Sequence, residues 1–144
     1  MLISHVLDKK GRRVATVLPT DTVADAVRRL AEWNIGAVVV QDRWQKLVGV
    51  FSERDLVNHL AKDSVQVVGR PVEALMSHNV ITCRPDDNID AVLQVMTVNK
   101  IRHLPVLEGT RLVGIVSIGD LVKHRLDEKL QEAQVLLDIS RMHA

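Results

Sequence analysis

The chain carries its own template. Val17-Leu18-Pro19-Thr20-Asp21 aligns with Cys83-Arg84-Pro85-Asp86-Asp87 at an offset of 66. The same offset lays Val23 on Ile89, Ala26 on Val92, Val27 on Leu93, Leu30 on Met96, Ile35 on Ile101 and Val40 on Val106. One extra residue near Trp44 lowers the offset to 65, and Leu47-Val48-Gly49-Val50-Phe51-Ser52-Glu53-Arg54-Asp55 then overlies Leu112-Val113-Gly114-Ile115-Val116-Ser117-Ile118-Gly119-Asp120. The match runs about 40 residues and preserves apolar position, glycine, serine and aspartate together, so it is a duplication. Two copies in 144 residues leave room for one domain, or for two small ones sharing a core.

Each copy reads β-α-β-β-α. A short strand (14–18, 80–84) runs up to a proline. Thr22 and Asn88 follow as N-caps, their side-chain oxygens placed to accept from the free N–H groups of a first turn. Val23, Ala26, Val27 and Leu30, like Ile89, Val92, Leu93 and Met96, recur at helical spacing. Two apolar runs around a polar turn then predict a hairpin (37–40 with 47–51; 103–107 with 112–116), and a second helix starts at Ser52 or Ser117. The expected fold class is α/β (α+β), with two such repeats packed about a pseudo-twofold axis. The boundaries are 1–13 for a leading helix ended by Gly11, 14–61 for the first repeat, 62–79 for a linker, 80–126 for the second repeat and 127–144 for a helical extension. Within the linker, residues 71–76 are expected to form a short helix with Pro71 in its first turn. The tail, 121 to about 142, reads as one long helix with a stripe of Leu126, Leu130, Ala133, Leu137 and Ser140. That stripe either caps its own core or pairs with a twofold mate.

Composition narrows the function. An apolar fraction of 47%, a charged fraction of 26% and a net charge of +1 describe an ordinary globular chain, with no electrostatic reason to expect nucleic acid or anionic membrane. Aromatics make up 2% (Trp33, Trp44, Phe51), which argues against stacking of single-stranded bases and requires an aliphatic core. The lone Cys83 excludes an internal disulfide and a cysteine zinc cluster, and its apolar surroundings suggest a buried, inert thiol. No apolar run approaches the ~20 residues of a membrane span, and no secretory signal is visible, so a cytoplasmic location is expected.

Catalytic motifs are lacking. The chain has no phosphate-binding glycine loop, no nucleophile elbow and no H-E-x-x-H. The histidines are scattered, and His59 and His124 fall at equivalent places expected near helix ends, where the helix dipole favours them. One constellation occurs twice: Gly49-Val50-Phe51-Ser52-Glu53-Arg54-Asp55 and Gly114-Ile115-Val116-Ser117-Ile118-Gly119-Asp120. Ser-x-x-Asp is a capping-box analogue in its own right. After a strand it also presents free N–H groups to an anion, and the aspartate one turn in can accept from the vicinal hydroxyls of a ribose. Arg54 adds a charged phosphate donor in the first copy. Gly119 replaces it in the second, where Arg102 and His103 at the head of the hairpin are the nearest substitutes.

Residues 14–126 resemble a tandem pair of CBS (cystathionine-β-synthase) domains, on the two glycine-to-aspartate signatures and on Arg102-His103-Leu104-Pro105-Val106. The resemblance implies a regulatory module that binds an adenosine-containing ligand (AMP, ADP, ATP, NAD(H) or S-adenosylmethionine) between the two domains. It also implies a homodimer, an effector protein that reads the ligand state, and the stand-alone bacterial type. Carried over by position, Asp55 and Asp120 accept the ribose hydroxyls, and Ser52 and Ser117, followed by Ile118, touch phosphate or ribose. Thr16 and Thr82 reach the polar edge. Ala37, Val38, Leu104 and Pro105 line the adenine slot, Met76 and Val80 close a wall, and Arg12, Arg54, Arg102 and His103 are phosphate donors. The alternative is a ligand-independent dimerisation or interaction scaffold working through the tail. An enzyme is disfavoured, since no catalytic constellation or catalytic cofactor site is apparent.

Overall fold

The structure, a computed structural model, describes residues 1–143. Helix α1 (Ile3–Lys10) leads into β1 (Thr16–Val17), α2 (Val23–Trp33), β2 (Ala37–Gln41), β3 (Leu47–Ser52) and α3 (Glu53–Asp63). Two 3-10 segments, Ser64–Gly69 and Val72–Ala74, cross to α4 (Ile89–Asn99), β4 (His103–Glu108), β5 (Arg111–Ser117) and α5 (Ile118–Met142). The caps fall where the sequence puts them. Thr22 Oγ1 accepts from the Asp25 N–H at 3.1 Å, and Asn88 Oδ1 from the Asp90 N–H at 2.8 Å. Gly11 closes α1 at φ +100°, a conformation that suits a residue without Cβ.

The two hairpins are superimposable in register. Ala37 faces Ser52 and His103 faces Ser117, and each ladder slips at the same place, between Val40 and Gln41 and between Val106 and Leu107. β1 lies parallel to β2. The expected opening strands are shorter than predicted. The first is the two-residue β1; the second shrinks to one bridge, Cys83 to Val106, framed by Cys83 N–H to the Pro105 carbonyl (3.0 Å) and Leu107 N–H to the Cys83 carbonyl (2.9 Å). Each segment has a pairing edge on one side only and soon meets Pro19 or Pro85, which supplies no N–H. The expected helix at 71–76 is the 3-10 turn Val72–Ala74, capped by Pro71.

Two aliphatic cores result, and they are assembled crosswise. Val17, Val23, Ala26, Leu30, Val38, Val40 and Phe51 join with Val67, Val72, Leu75 and Met76. Ile89, Val92, Met96, Leu104, Val106, Val116 and Leu121 join with Ile3, Val6 and Leu7 from the other end of the chain. The leading helix therefore serves the second repeat, and the linker serves the first. Backbone bonds repeat the exchange: Ile3 N–H reaches the Asp87 carbonyl (2.9 Å) as Val72 N–H reaches that of Asp21 (2.7 Å). Likewise Ile89 N–H reaches the Met1 carbonyl (3.0 Å) as Val23 N–H reaches that of Arg70 (2.9 Å). A Cβ at Gly114 would lie 2.7 Å from Leu7 Cδ2, and one at Gly49 would collide with Met76 Sδ, so both signature glycines admit the exchanged segment. By this symmetry Lys10 stands where Asn79 stands. Cys83 is buried in the second core, and burial pushes its thiol up to about 12.

Helix α5 begins at Ile118 and is longer than its counterpart, as expected. Leu121 and His124 are its last buried residues, and Leu126, Leu130 and Leu137 are 59%, 61% and 53% exposed. The stripe does not cap its own core; it leaves it after two turns. His124 accordingly sits in the second turn of a 25-residue helix rather than near its end, whereas His59 does lie in the last turns of α3.

Truncating Leu7 tests the exchange. Leu7→Ala is expected to cost about 2–5 kcal/mol in urea denaturation, as for a buried leucine elsewhere. A leading helix merely appended to the first repeat would lose almost nothing.

Candidate functional site

The site starts from the strand-to-helix junction. Ser52 ends β3 and caps α3: its Oγ accepts from the Asp55 N–H (3.3 Å), while Asp55 Oδ2 accepts from the Ser52 N–H (2.9 Å) and hydroxyl (3.1 Å). The structural reading of the motif therefore holds, and it consumes one carboxylate oxygen. Among the described residues nothing bonds Asp55 Oδ1. The half-buried acid keeps a free acceptor at the mouth of a cavity of about 270 Å³.

Both repeats build that cavity. Gly36, Val50, Ser52, Glu53, Arg54 and Asp55 come from the first, Val80, Ile81, Lys100, Ile101, Arg102 and His103 from the second, and Ser77 and Asn79 from the segment between. Arg54 crosses the gap to donate to the Lys100 carbonyl at 3.4 Å. The His103 ring packs over Gly36, where a Cβ would lie 3.0 Å from Nε2. Burial and then the Lys10 ammonium push the His103 imidazole below its ordinary range, against an upward pull from Asp120 and Glu53. The ring is thus biased to the neutral form, and Arg54, Lys100 and Arg102 supply the positive charge.

The second acid has a different environment. Asp120 forms the same capping box, with its N–H on Ser117 Oγ (3.0 Å) and Oδ2 on the Ser117 N–H (2.8 Å). Lys10 Nζ also binds Asp120 Oδ2 at 2.5 Å and the Ile115 carbonyl at 2.8 Å. Burial pulls the Asp120 carboxyl up, but the Lys10 and Ser117 bonds outweigh it and hold the group below the usual carboxylate range.

Of the residues singled out in the sequence, Ser52, Arg54, Asp55, Val80, Arg102 and His103 meet in this one cavity. Arg102 and His103 were expected beside Asp120; both line the Asp55 cavity, and His103 also stays near Asp120, pairing in the ladder with its cap Ser117 while the Arg102 carbonyl accepts from the Ile118 N–H at 2.8 Å. Ala37, Val38, Leu104 and Pro105 are buried. In register His103 matches Ala37, so Leu104 and Pro105 match Val38 and Val39. Met76 packs beneath Gly49, and Thr82 is exposed. Ile118 leans on the second core. Arg12 and Thr16 share a separate groove with Trp44 and Arg111, and Arg12 pairs with Asp8 at 2.7 Å. Sequence reasoning missed Lys100, Asn79 and Lys10. Lys100 was within reach: it aligns with Asn34, and both cap their helices in the left-handed conformation, which suits asparagine far better than lysine. Among the described residues no group of three His, Cys, Asp or Glu side chains could hold a metal ion. Among the same residues no helix is long and apolar enough to cross a membrane.

A family model for the CBS domain matches residues 6–62 and again 72–127. The chain belongs to the CBS-domain family. A CBS-domain containing protein from Agrobacterium tumefaciens is 40% identical and superimposes with a TM-score of 0.84, covering 86% of this chain and 92% of that one. A CBS domain protein from Pyrobaculum aerophilum complexed with AMP is 26% identical, with a TM-score of 0.75 over 83% of this chain and 89% of its own. Another solved CBS-domain pair, in complex with 5′-methylthioadenosine and S-adenosyl-L-methionine, is 26% identical with a TM-score of 0.79, covering 89% of this chain and 98% of that one. As a CBS-domain pair, the protein carries its two signatures at the heads of α3 and α5, where the sequence placed them.

The depressed His103 fixes a sign. Its folded pKa lies below the unfolded value of about 6.5, so the folded state binds fewer protons there. The resulting stability is complete above that value and is lost as pH falls toward the folded pKa. Urea midpoints of the wild type are expected to fall through this window, and those of His103→Gln to fall less. Identical slopes would contradict the assignment.

Proposed function

We propose that this CBS-domain pair is a regulatory module that binds one adenine mononucleotide in the cavity headed by Asp55 and passes the ligand state to a partner. The observation that carries the reading is the meeting of a ribose-type acceptor, Asp55 Oδ1, with Arg54, Lys100 and Arg102 in one cleft. The ribose hydroxyls would donate to Asp55, a phosphate would lie against the three cations and the α3 N-terminus, and the base would rest on Val50, Val80 and Ile81. Aliphatic walls replace aromatic ones, in line with a chain holding three aromatic residues. The likeness to relatives solved with AMP and with S-adenosyl-L-methionine supports an adenosine ligand. A volume of about 270 Å³ sits at the small end of ligand pockets, which run to roughly 300–1,000 Å³, and favours AMP over a dinucleotide such as NAD(H).

Signalling follows from where the walls come from. A ligand that bridges Asp55 and Arg102 ties the repeats together, and it shifts their arrangement by the difference between its affinities for the two states. Binding at micromolar strength corresponds to about 8 kcal/mol, within reach of a few charge-assisted hydrogen bonds and a buried base.

A second reading, a ligand-independent scaffold, draws on α5. Leu126, Leu130, Ala133, Leu137 and Ser140 recur at heptad spacing on an exposed helix, the pattern of a seam between two copies.

Calorimetry separates the two. AMP is expected to bind the wild type, and Asp55→Ala to weaken it about 10- to 100-fold, the worth of hydrogen bonds to a charged group. No binding below millimolar, together with loss of a dimer on truncation after Leu126, would leave the scaffold standing.

A further inference from the structure

Helix α5 outruns the domain it starts in. Leu121 and His124 are its last buried residues and the Glu128 side chain is 12% exposed, so the helix leaves the core near residue 128 and continues to Met142. Along the free part, Leu126, Leu130, Ala133, Leu137 and Ser140 alternate steps of four and three, the spacing of a paired helix. This stripe lies on the far side of the helix from Leu121, His124 and Glu128, so the chain's own core does not cover it. All five residues are exposed, and Leu136 beside them is 67% exposed. One charge flanks the stripe at each end. Asp127 and Arg141 occupy the same heptad position, and among the described residues neither has an ion-pair partner, whereas Arg125 pairs with Glu128 and Lys129 with Glu132.

Resting on the seam of the scaffold reading, though not on its independence of ligand, we infer that this face takes a second copy of the same helix and that the two run antiparallel. Volume selects the direction. In an antiparallel pair centred on residue 135, Leu130 meets the partner's Ser140 and Ala133 meets the partner's Leu137, so every layer sets one leucine against one small residue. A parallel pair in register would put alanine on alanine and serine on serine, leaving half the layers underfilled. Charge selects the same direction. The antiparallel register places Asp127 opposite the partner's Arg141, twice by symmetry, and turns the two copies of Leu136 toward each other. In a parallel pair the flanking contacts are Lys129 with Gln134 and Leu136 with Arg141, and neither is an ion pair. Length agrees as well: the stretch from Asp127 to Arg141 is nearly all of the free part of α5, so the register that matches the charges also covers the stripe. Antiparallel helices moreover set their dipoles in opposition. Val135 and Ile139 lie off the seam and take no part in it. The seam is about 25 Å long at the rise of an α-helix, and it holds the two globular parts at its opposite ends.

Disulfide trapping in the full chain reads the direction. Cys83 does not interfere, because it is buried and its thiol is pushed up to about 12. A mixture of Leu130→Cys and Ser140→Cys is expected to give a cross-linked dimer on oxidation, and either variant alone to give little. Ready cross-linking of Leu130→Cys or Ser140→Cys with itself would mean parallel helices; it would overturn the inference and spare the scaffold reading. A dimer in sedimentation that gives no cross-link in the mixture would mean pairing through another face, and would overturn it too. Chains still monomeric at ~1 mM would sink both the seam and the scaffold reading. Arg141→Glu, which stands clear of the globular part, is expected to weaken dimerisation roughly 10-fold through the two lost pairs. An unchanged dissociation constant would contradict the contact with Asp127.

Discussion

Each repeat turns from strand into helix through a carboxylate that bonds back to its own cap. Asp55 Oδ2 holds the Ser52 N–H and Asp120 Oδ2 the Ser117 N–H, while each serine hydroxyl holds the aspartate N–H in return. Such reciprocal caps satisfy donors that a helix start otherwise leaves open. Because the cap ties up one carboxylate oxygen, the other is oriented at the helix N-terminus. Local folding and a preorganised acceptor are thus the same contact. The close packing beneath it, with Met76 against Gly49 and Leu7 against Gly114, fixes where each junction sits relative to the exchanged segment.

The exchange of end segments makes two small repeats into one folding unit. Neither core is complete without residues that lie next to the other repeat in sequence. A single repeat buries too little surface to be stable alone, and crossing the segments makes loss of either core a loss of both. It also places a different chain at each cleft. The first receives Asn79 from the linker, and the second receives Lys10 from α1. Duplication supplied two equivalent acids; the unequal segments beside them gave those acids unequal surroundings.

Much of this could be read from residues alone. Element order, the four N-caps and the two hairpins followed from periodicity and cap chemistry, which are local; the step from Ala37 and Val38 to Leu104 and Pro105 was one residue out. The opening strands came out shorter because strand length depends on the edges available for pairing, not on apolar content. Arg102 and His103 were matched to Asp120 alone, and their place in the Asp55 cavity was missed, because a repeat alignment says which residues correspond, not which face one another across an axis. Lys10 carried no signal of its own: its role follows from the packing of α1 on the second repeat, a tertiary fact. The tail stripe was legible as a stripe, but its 59% exposure at Leu126 depends on where the globular core ends.

Co-crystallisation with AMP is the most direct examination of the central claim, that a cleft shared by both repeats is organised by a free carboxylate oxygen on Asp55. Ribose hydroxyls on Asp55 Oδ1, with the phosphate between Arg54 and Arg102, is the arrangement expected. A nucleotide bound only in the groove of Arg12 and Thr16, or with its ribose turned away from Asp55, would contradict it.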